Sequence, residues 1–124
     1  MATESKPVTF QHYAGLPASF SPQLLANENA YLEDLFSSEA TNAESPLSSG
    51  IFRLEPGTPL KYTYTYDEMK IILDGDFTIV DETGQTVHAK KGDHFFFPKG
   101  VTITFTSEKG GVAFYVGQRK KGAA

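Results

Sequence analysis

The stretches YDEMKIILDGDFTI (residues 66–79) and KKGDHFFFPKGVTITF (residues 90–105) decide the fold of this chain. Both consist of short apolar and aromatic runs that are divided by Asp, Gly and Pro. Aromatic and β-branched residues suit a pleated, half-buried surface. Turn signals at such short intervals are typical of a β-sandwich or barrel. We therefore predict an all-β protein, a single domain built as an antiparallel jelly-roll barrel.

Similar runs on either side extend this pattern over the second half of the chain. The predicted strands are Gly50–Leu54, Leu60–Tyr66, Met69–Leu73, Phe77–Val80, Gln85–Ala89, His94–Phe97, residues 101–106 and Val112–Gln118. We interpret Asp74-Gly75 as a tight turn and residues 81–84 as the turn of a hairpin.

The first third of the chain is less regular. Val8–Tyr13 alternates well enough to predict a strand. Ser21-Pro22 could cap and begin a helix over Gln23–Phe36, whereas Tyr31–Phe36 could equally form a strand. These patterns divide the chain into an N-terminal arm over residues 1–49, a barrel core over residues 50–118 and a basic tail over residues 119–124.

Composition excludes several classes of protein. The 124 residues contain no Cys, which rules out disulfides and thiolate chemistry, and the formal net charge of −4 disfavours a nucleic-acid partner. The apolar runs are too short to span a membrane, and no signal peptide is visible at the N-terminus, so we expect a cytoplasmic protein. We interpret Arg119, Lys120 and Lys121 as a solvated tail rather than a docking patch.

Two sets of residues resemble the motifs of the cupin superfamily, the RmlC-like jelly rolls. The first motif is matched by Gly57, Tyr62, Tyr64, Glu68 and Gly75, with one residue fewer than usual between Gly57 and Tyr62. The second is matched by Gly92, Pro98 and Gly100, with Ile103 and Ser107 where His and Asn usually stand. Within cupins, residues 50–118 look most like the small stand-alone group related to the EutQ proteins.

The resemblance implies a jelly-roll barrel with its site inside and a homodimer in which the N-terminal strand is often exchanged. It also implies a metal held by three His and one Glu. In this chain Tyr62, Tyr64 and Ile103 take the three His positions, and only Glu68 remains. We therefore expect no cofactor, while a weakly bound divalent metal at Glu68 stays open.

Alternation along the strands predicts what the barrel holds instead. Tyr62, Tyr64, Glu68, Lys70, Ile72 and Asp74 share one face if the strand is regular, and in cupins the Glu of the first motif points inward. An ammonium and a carboxylate buried together must pair or exchange a proton. Burial lowers the pKa of an ammonium and raises that of a carboxyl, towards values useful for proton transfer.

We therefore predict that Glu68 and Lys70 move protons and that Tyr62 and Tyr64 orient a substrate. His94 is a further candidate if its parity, shared with Phe96, is inward. The expected apolar lining of the substrate site is Phe52, Ile72, Phe77, Ile79, Phe96, Ile103 and Phe105. Each of these catalytic roles has a simpler alternative. Glu68 and Lys70 could form a surface ion pair, the two tyrosines could pack as core, and His94 could be structural. His12 and His88 are expected at the surface.

Three functions remain open at this point. The first is a metal-independent isomerase, dehydratase, cyclase or decarboxylase acting on a carbonyl-bearing metabolite by acid–base catalysis. The second is a non-catalytic cupin that binds a small molecule or assembles with partners. The third is a metalloenzyme with atypical ligands such as Glu68, His94 and a Tyr. The sequence offers no Ser–His–Asp order, phosphate-binding Gly loop or HExxH helix.

Overall fold

A computed structural model describes residues 7–124. Within them lie one short helix, α1 (Leu16–Ser19), and nine strands. The strands are β1 (Leu24–Ala26), β2 (Ala30–Ser37), β3 (Ser48–Leu54), β4 (Leu60–Thr63), β5 (Glu68–Asp81), β6 (Thr86–Lys90), β7 (His94–Phe97), β8 (Thr102–Thr106) and β9 (Gly111–Gly117). The predicted all-β class is confirmed. No helix in this part of the chain has the length and apolarity needed to cross a membrane.

The strands form two antiparallel sheets that share one long strand. The first sheet has the order β1-β2-β3-β9-β5-β7, and the second has the order β4-β8-β5-β6. The beginning of β5 pairs with β7 and β9, whereas its end pairs with β6 and β8. Because β5 crosses from one sheet to the other, it closes the two sheets into a nearly complete barrel.

The crossing corrects two predictions about Asp74-Gly75. This dipeptide is not a turn between two strands but lies within the 14-residue β5, where the register with β9 shifts between Ile72 and Asp74. Before the shift, even-numbered residues point inward. After it, Phe77 and Ile79 do. Asp74 is therefore exposed rather than on the face of Glu68, because a bulge reverses the alternation of a strand.

The interior is filled by aromatic and branched side chains from both sheets. Phe52, Phe77 and Phe105 are each at most 2% exposed. Phe52 stacks on Phe77 and meets Phe105 edge to face, with ring centroids 5.7 and 5.4 Å apart. Tyr64 and Phe97 stack with their planes 6° apart. This packing leaves little empty space beside the polar residues described below.

The first third of the chain follows its predictions only in part. Residues 8–13 form no strand and are exposed. Of the two alternatives for Gln23–Phe36, the helix is absent and the strand over Tyr31–Phe36 is confirmed as part of β2. β1 and β2 form a hairpin, and β2 pairs with β3 along its length. Pairing with a central strand overrides a weak local helix signal. Residues 1–6 of the expected N-terminal arm lie outside the described residues.

Gly75 is predicted to be required for the crossing. Its φ is +73°, and a Cβ there would lie 2.0 Å from the carbonyl oxygen of Gly110. Gly84, in the hairpin turn, also has a positive φ of +90° but open space around it. We expect Gly84→Ala to lower the free energy of unfolding by about 1–2 kcal/mol, from backbone conformation alone.

Gly75→Ala should lower the free energy of unfolding by ~1–3 kcal/mol more than Gly84→Ala does, because the neighbouring backbone must move. Urea unfolding of the two variants measures the difference. Equal losses would show that the close approach at the crossing does not constrain the fold.

Candidate active site

An ion pair lies inside the barrel. Glu68 and Lys70 are neighbours on the inward face of β5, and they are 1% and 3% exposed. The Lys70 Nζ donates a hydrogen bond to the Glu68 Oε2 at 2.7 Å. Alternation along β5 brings the two side chains to the same side, and their burial makes pairing necessary.

Aromatic faces surround the ammonium of Lys70. Its Nζ lies 4.9 Å from the ring centroid of Phe52, 5.0 Å from Tyr115, 5.7 Å from Phe105 and 6.0 Å from Phe97. These contacts favour the charged form through cation–π attraction. Burial nevertheless lowers the pKa of Lys70 below its ordinary value, and the nearby Glu68 carboxylate offsets only part of that effect.

Three tyrosines from one end of the barrel complete the polar group. The Tyr64 hydroxyl donates a short hydrogen bond to the same Glu68 Oε2 that Lys70 contacts. The hydroxyls of Tyr62 and Tyr66 bond to each other at 2.9 Å. Burial, reinforced by the charge of Glu68, raises the pKa of Tyr64 well above its ordinary value. Tyr64 therefore stays a neutral hydrogen-bond donor across the physiological range.

These residues line a cavity of about 10 Å³, roughly the room that one water molecule needs. Its wall consists of Leu25, Leu32, Phe52, Leu60, Tyr62, Tyr64, Tyr66, Glu68, Lys70, Phe105 and Ala124. A separate cleft of about 280 Å³ has Ile79, Phe95, Phe97 and Ile103 in its wall. That cleft contains none of the charged pair.

The expected lining residues thus divide between different places. Phe52 and Phe105 lie at the Glu68 cavity, whereas Ile79, Phe96 and Ile103 lie at the larger cleft. Ile72 and Phe77 are buried at 1% exposure, in the walls of neither space.

His94 is a correction to the predicted site, and Phe96 belongs to the wall of the larger cleft rather than to the Glu68 cavity. On β7 it is Phe95 and Phe97 that point inward, so His94 is exposed and Phe96 is 55% exposed. The reason is the pairing of Phe97 with Glu68, which places Phe97 on the same inward face. His12 and His88 are exposed, as expected.

The residues at the expected metal-ligand positions do not fit a transition metal. Tyr64 is a neutral phenol committed to Glu68, Ile103 has no donor atom, and the Glu68 Oε2 already accepts two hydrogen bonds. Among residues 7–124, no three His, Cys, Asp or Glu side chains lie together as a metal site would require.

Asp34 and Arg119 form a second buried ion pair, which was not predicted from the sequence. Arg119 Nη1 and Nη2 donate to the two carboxylate oxygens of Asp34 at 2.6 and 2.8 Å. Tyr115 donates a hydrogen bond to the same carboxylate, and its ring also faces Lys70. Arg119 is 6% exposed, so placing it in a solvated tail was wrong, whereas Lys120 and Lys121 are exposed. No local pattern pointed to this pair, because Asp34 and Arg119 are 85 residues apart in the sequence.

Asp34 also holds the end of the chain in place. The backbone N–H of Gly122 donates to Asp34 Oδ2 at 2.7 Å, and that of Lys121 donates to Glu39 at 2.6 Å. The hydroxyl of Ser48 donates to the carbonyl of Arg119 at 2.8 Å. Residues 118–124, the C-terminal segment, therefore lie against the barrel, and Ala124 reaches the wall of the Glu68 cavity.

Sequence comparisons match this chain to the EutQ proteins. A family model described as the ethanolamine utilisation protein EutQ matches residues 26–118. The chain is 36% identical over 77 residues to a protein of Clostridioides difficile named acetate kinase EutQ, covering 61% of this chain and 45% of that protein. It therefore spans less than half the length of this curated relative.

The solved structures that resemble this chain also include an EutQ protein. The EutQ protein of Clostridium difficile matches with a TM-score of 0.61 and 30% identity over 72% of this chain and 67% of its own. A Rhizobium leguminosarum protein of unknown function matches with a TM-score of 0.67 and 25% identity, covering 91% of this chain and 100% of its own. An RmlC-like cupin of Shewanella frigidimarina, 17% identical with a TM-score of 0.53 over 60% of this chain and 68% of its own, shares the fold.

The Asp34–Arg119 pair predicts a pH-dependent stability. Burial alone would raise the pKa of Asp34, but hydrogen bonds from Arg119, Tyr115 and a backbone N–H outweigh it, so the pKa lies below its ordinary value. A carboxyl with a lowered pKa in the folded state stabilises above its unfolded pKa and stops doing so as the pH falls through the folded one. Asp34→Asn should cost about 3 kcal/mol at pH 7 because it leaves Arg119 unpaired.

The difference between wild type and Asp34→Asn should narrow as the pH falls below about 4, the ordinary Asp pKa. Urea unfolding at a series of pH values measures it, with the exposed Glu82→Gln as control. A difference that is absent at pH 7, or that does not change with pH, would contradict this account of the C-terminal segment.

Proposed function

The chain belongs to the family of the ethanolamine utilisation protein EutQ, and we propose that its cupin barrel is a metal-independent enzyme. The reaction would be an isomerisation, dehydration, cyclisation or decarboxylation of a small carbonyl-bearing metabolite. The observation that carries the proposal is the Glu68–Lys70 pair, which is enclosed by aromatic side chains and lies at a cavity.

The pair supplies a base and an acid at one place. The Glu68 carboxylate would remove a proton from the carbon beside the carbonyl, and the Lys70 ammonium would return a proton to the neighbouring atom. The lowered pKa of Lys70 brings its proton closer to the range in which it can be given up. The hydroxyl of Tyr62 or Tyr66 would hold the carbonyl oxygen while negative charge develops on it.

The name of the curated relative points elsewhere, to phosphoryl transfer. A kinase needs a phosphate-binding loop and acidic ligands for Mg²⁺. The sequence lacks such a Gly-rich loop, and the described residues lack a cluster of three acidic or His side chains. The chain also corresponds to less than half of that relative. We therefore base the proposal on the barrel.

A non-catalytic cupin is the second candidate, and the size of the cavity favours it. A space of about 10 Å³ admits no metabolite unless its wall moves. Under this alternative the ion pair only specifies how the core packs. The metalloenzyme with atypical ligands is no longer proposed, because His94 lies outside the barrel.

We also propose that the protein is a cytoplasmic homodimer that acts on a small molecule. Met69 and Phe96 are cross-strand partners on the outer face of the first sheet, 45% and 55% exposed, and Ile71 beside them is 38% exposed. An apolar patch of this kind on a sheet face is typical of an interface between protein chains. We name Met69, Ile71 and Phe96 the outer patch.

The enzymatic proposal is tested by proton exchange. A panel of small ketones, aldehydes and hydroxy-carbonyl compounds in D₂O would be followed by ¹H NMR for exchange of the proton beside the carbonyl. Glu68→Gln and Lys70→Met should each slow the exchange about 100-fold or more, the usual contribution of an acid–base group. Exposed Glu82→Gln and Lys91→Met serve as controls. Full exchange by both site variants, or none by the wild type across the panel, would refute the mechanism.

The dimer is tested by light scattering after size-exclusion chromatography. The wild type should elute with twice the mass of the chain, and Phe96→Asp should elute as a monomer because a charge in the outer patch opposes burial. Thr86→Asp, on the exposed face of β6, should leave the mass unchanged. A monomeric wild type, or a dimer that survives Phe96→Asp, would remove the outer patch as the interface.

A further inference from the structure

The two oxygens of the Glu68 carboxylate are not equivalent. Oε2 accepts hydrogen bonds from both Tyr64 and Lys70. Oε1 is buried and has no hydrogen-bond partner among the described residues. A buried carboxylate oxygen without a donor is costly, so the carboxylate has an unused capacity for one more N–H or O–H.

The cavity that Glu68 lines contains an unused donor. Tyr62 and Tyr66, which share the hydrogen bond between their hydroxyls, both line it. In either direction of that bond only one hydroxyl proton is used, so the accepting hydroxyl keeps its own proton for a further acceptor. The rest of the wall consists mainly of apolar and aromatic side chains.

The paired charges of Glu68 and Lys70 favour an uncharged ligand. Glu68 and Lys70 already neutralise each other at 2.7 Å. An anion would meet Glu68 and a cation would meet Lys70, and either would bring an unpaired charge into a buried place. A neutral ligand adds no such charge.

We propose that the Glu68 cavity binds a small uncharged molecule in which an N–H or O–H donor lies beside a carbonyl, as in a primary amide or an α-hydroxy carbonyl compound. The donor binds the Glu68 Oε1, and the carbonyl accepts from the hydroxyl of Tyr62 or Tyr66. The inference rests on the proposed function in taking this cavity as the substrate site, but it concerns binding, which is measured separately from turnover.

The structure also indicates where the wall must open. Leu25 belongs to the three-residue edge strand β1 and is 37% exposed, and Ala124 belongs to the C-terminal segment. The remaining wall residues lie on strands or on the link between β4 and β5, so the ligand enters between β1 and the C-terminal segment.

The test compares three molecules with the same number of heavy atoms and nearly the same shape: acetamide, acetone and acetate. Each would be titrated into the full chain, and the NMR signals of Lys70 and the tyrosine rings would be followed. Acetamide should bind roughly tenfold more tightly than acetone, as expected for one hydrogen bond to a charged group. Acetate should bind more weakly than acetamide.

Glu68→Gln should abolish the advantage of acetamide over acetone, because a carboxamide engaged with Tyr64 and Lys70 presents its NH₂ to the ligand. Glu82→Gln should keep the advantage. The double variant Tyr62→Phe/Tyr66→Phe, which removes both hydroxyls that could donate, should weaken acetamide and acetone alike through their shared carbonyl. If Glu68→Gln does not fold, the preference of the wild type for acetamide over acetone still tests the donor contact, and the tyrosine variant tests the carbonyl contact.

Equal binding of acetamide and acetone, tighter binding of acetate, or no binding of any of the three would each overturn the inference. Binding of acetamide as described, together with no proton exchange in the carbonyl panel, would support the inference and refute the proposed enzymatic function. Exchange activity without selectivity for acetamide would support the proposed enzymatic function and refute the inference about binding.

Discussion

The structure depends on the burial of a positive and a negative side chain side by side in an aromatic interior. Removing either charge from water costs several kcal/mol, and only a close partner with further hydrogen bonds repays it. The Glu68 Oε2 supplies that partner, Tyr64 adds a hydrogen bond to it, and aromatic faces enclose the ammonium of Lys70. A barrel that needed only stability would be as well served by apolar residues at both positions, so the pair is the feature that calls for a function.

The second ion pair, Asp34–Arg119, is linked to the Glu68–Lys70 pair through shared tyrosines. Tyr115 is common to both, since its hydroxyl binds Asp34 and its ring faces Lys70. Tyr66 is a further link, because its ring lies 5.2 Å from the guanidinium of Arg119 and its hydroxyl binds Tyr62. The positive charge of Arg119 also contributes to lowering the pKa of Lys70, after burial itself. The anchoring of the C-terminal segment and the electrostatics of the cavity are thus parts of one arrangement.

Strand alternation and the cupin resemblance together predicted the barrel and its central pair. Glu68 and Lys70 lie two residues apart on β5, so alternation places them on one face, and the resemblance indicated that this face points inward. Tyr64 lies on the link after β4, and its contact with Glu68 does not follow from alternation. Prediction failed where non-local pairing decides. The bulge beside Asp74 reversed the alternation, and His94 turned outward because Phe97 pairs with Glu68. Pairing of β2 with β3 decided between the helix and the strand that the local pattern had left open. Arg119 left no local signal, since its partner Asp34 is 85 residues away.

The most direct test of the buried pair is the titration of Lys70 by NMR in protein labelled at the lysine side chains. We predict one lysine whose Cε protons are shifted upfield by the surrounding rings, whose pKa lies below its ordinary value, and whose signal changes in Glu68→Gln but not in Glu82→Gln. If every lysine titrates with the ordinary pKa of a solvated side chain and none responds to Glu68→Gln, the pair is not inside the barrel and the account is wrong.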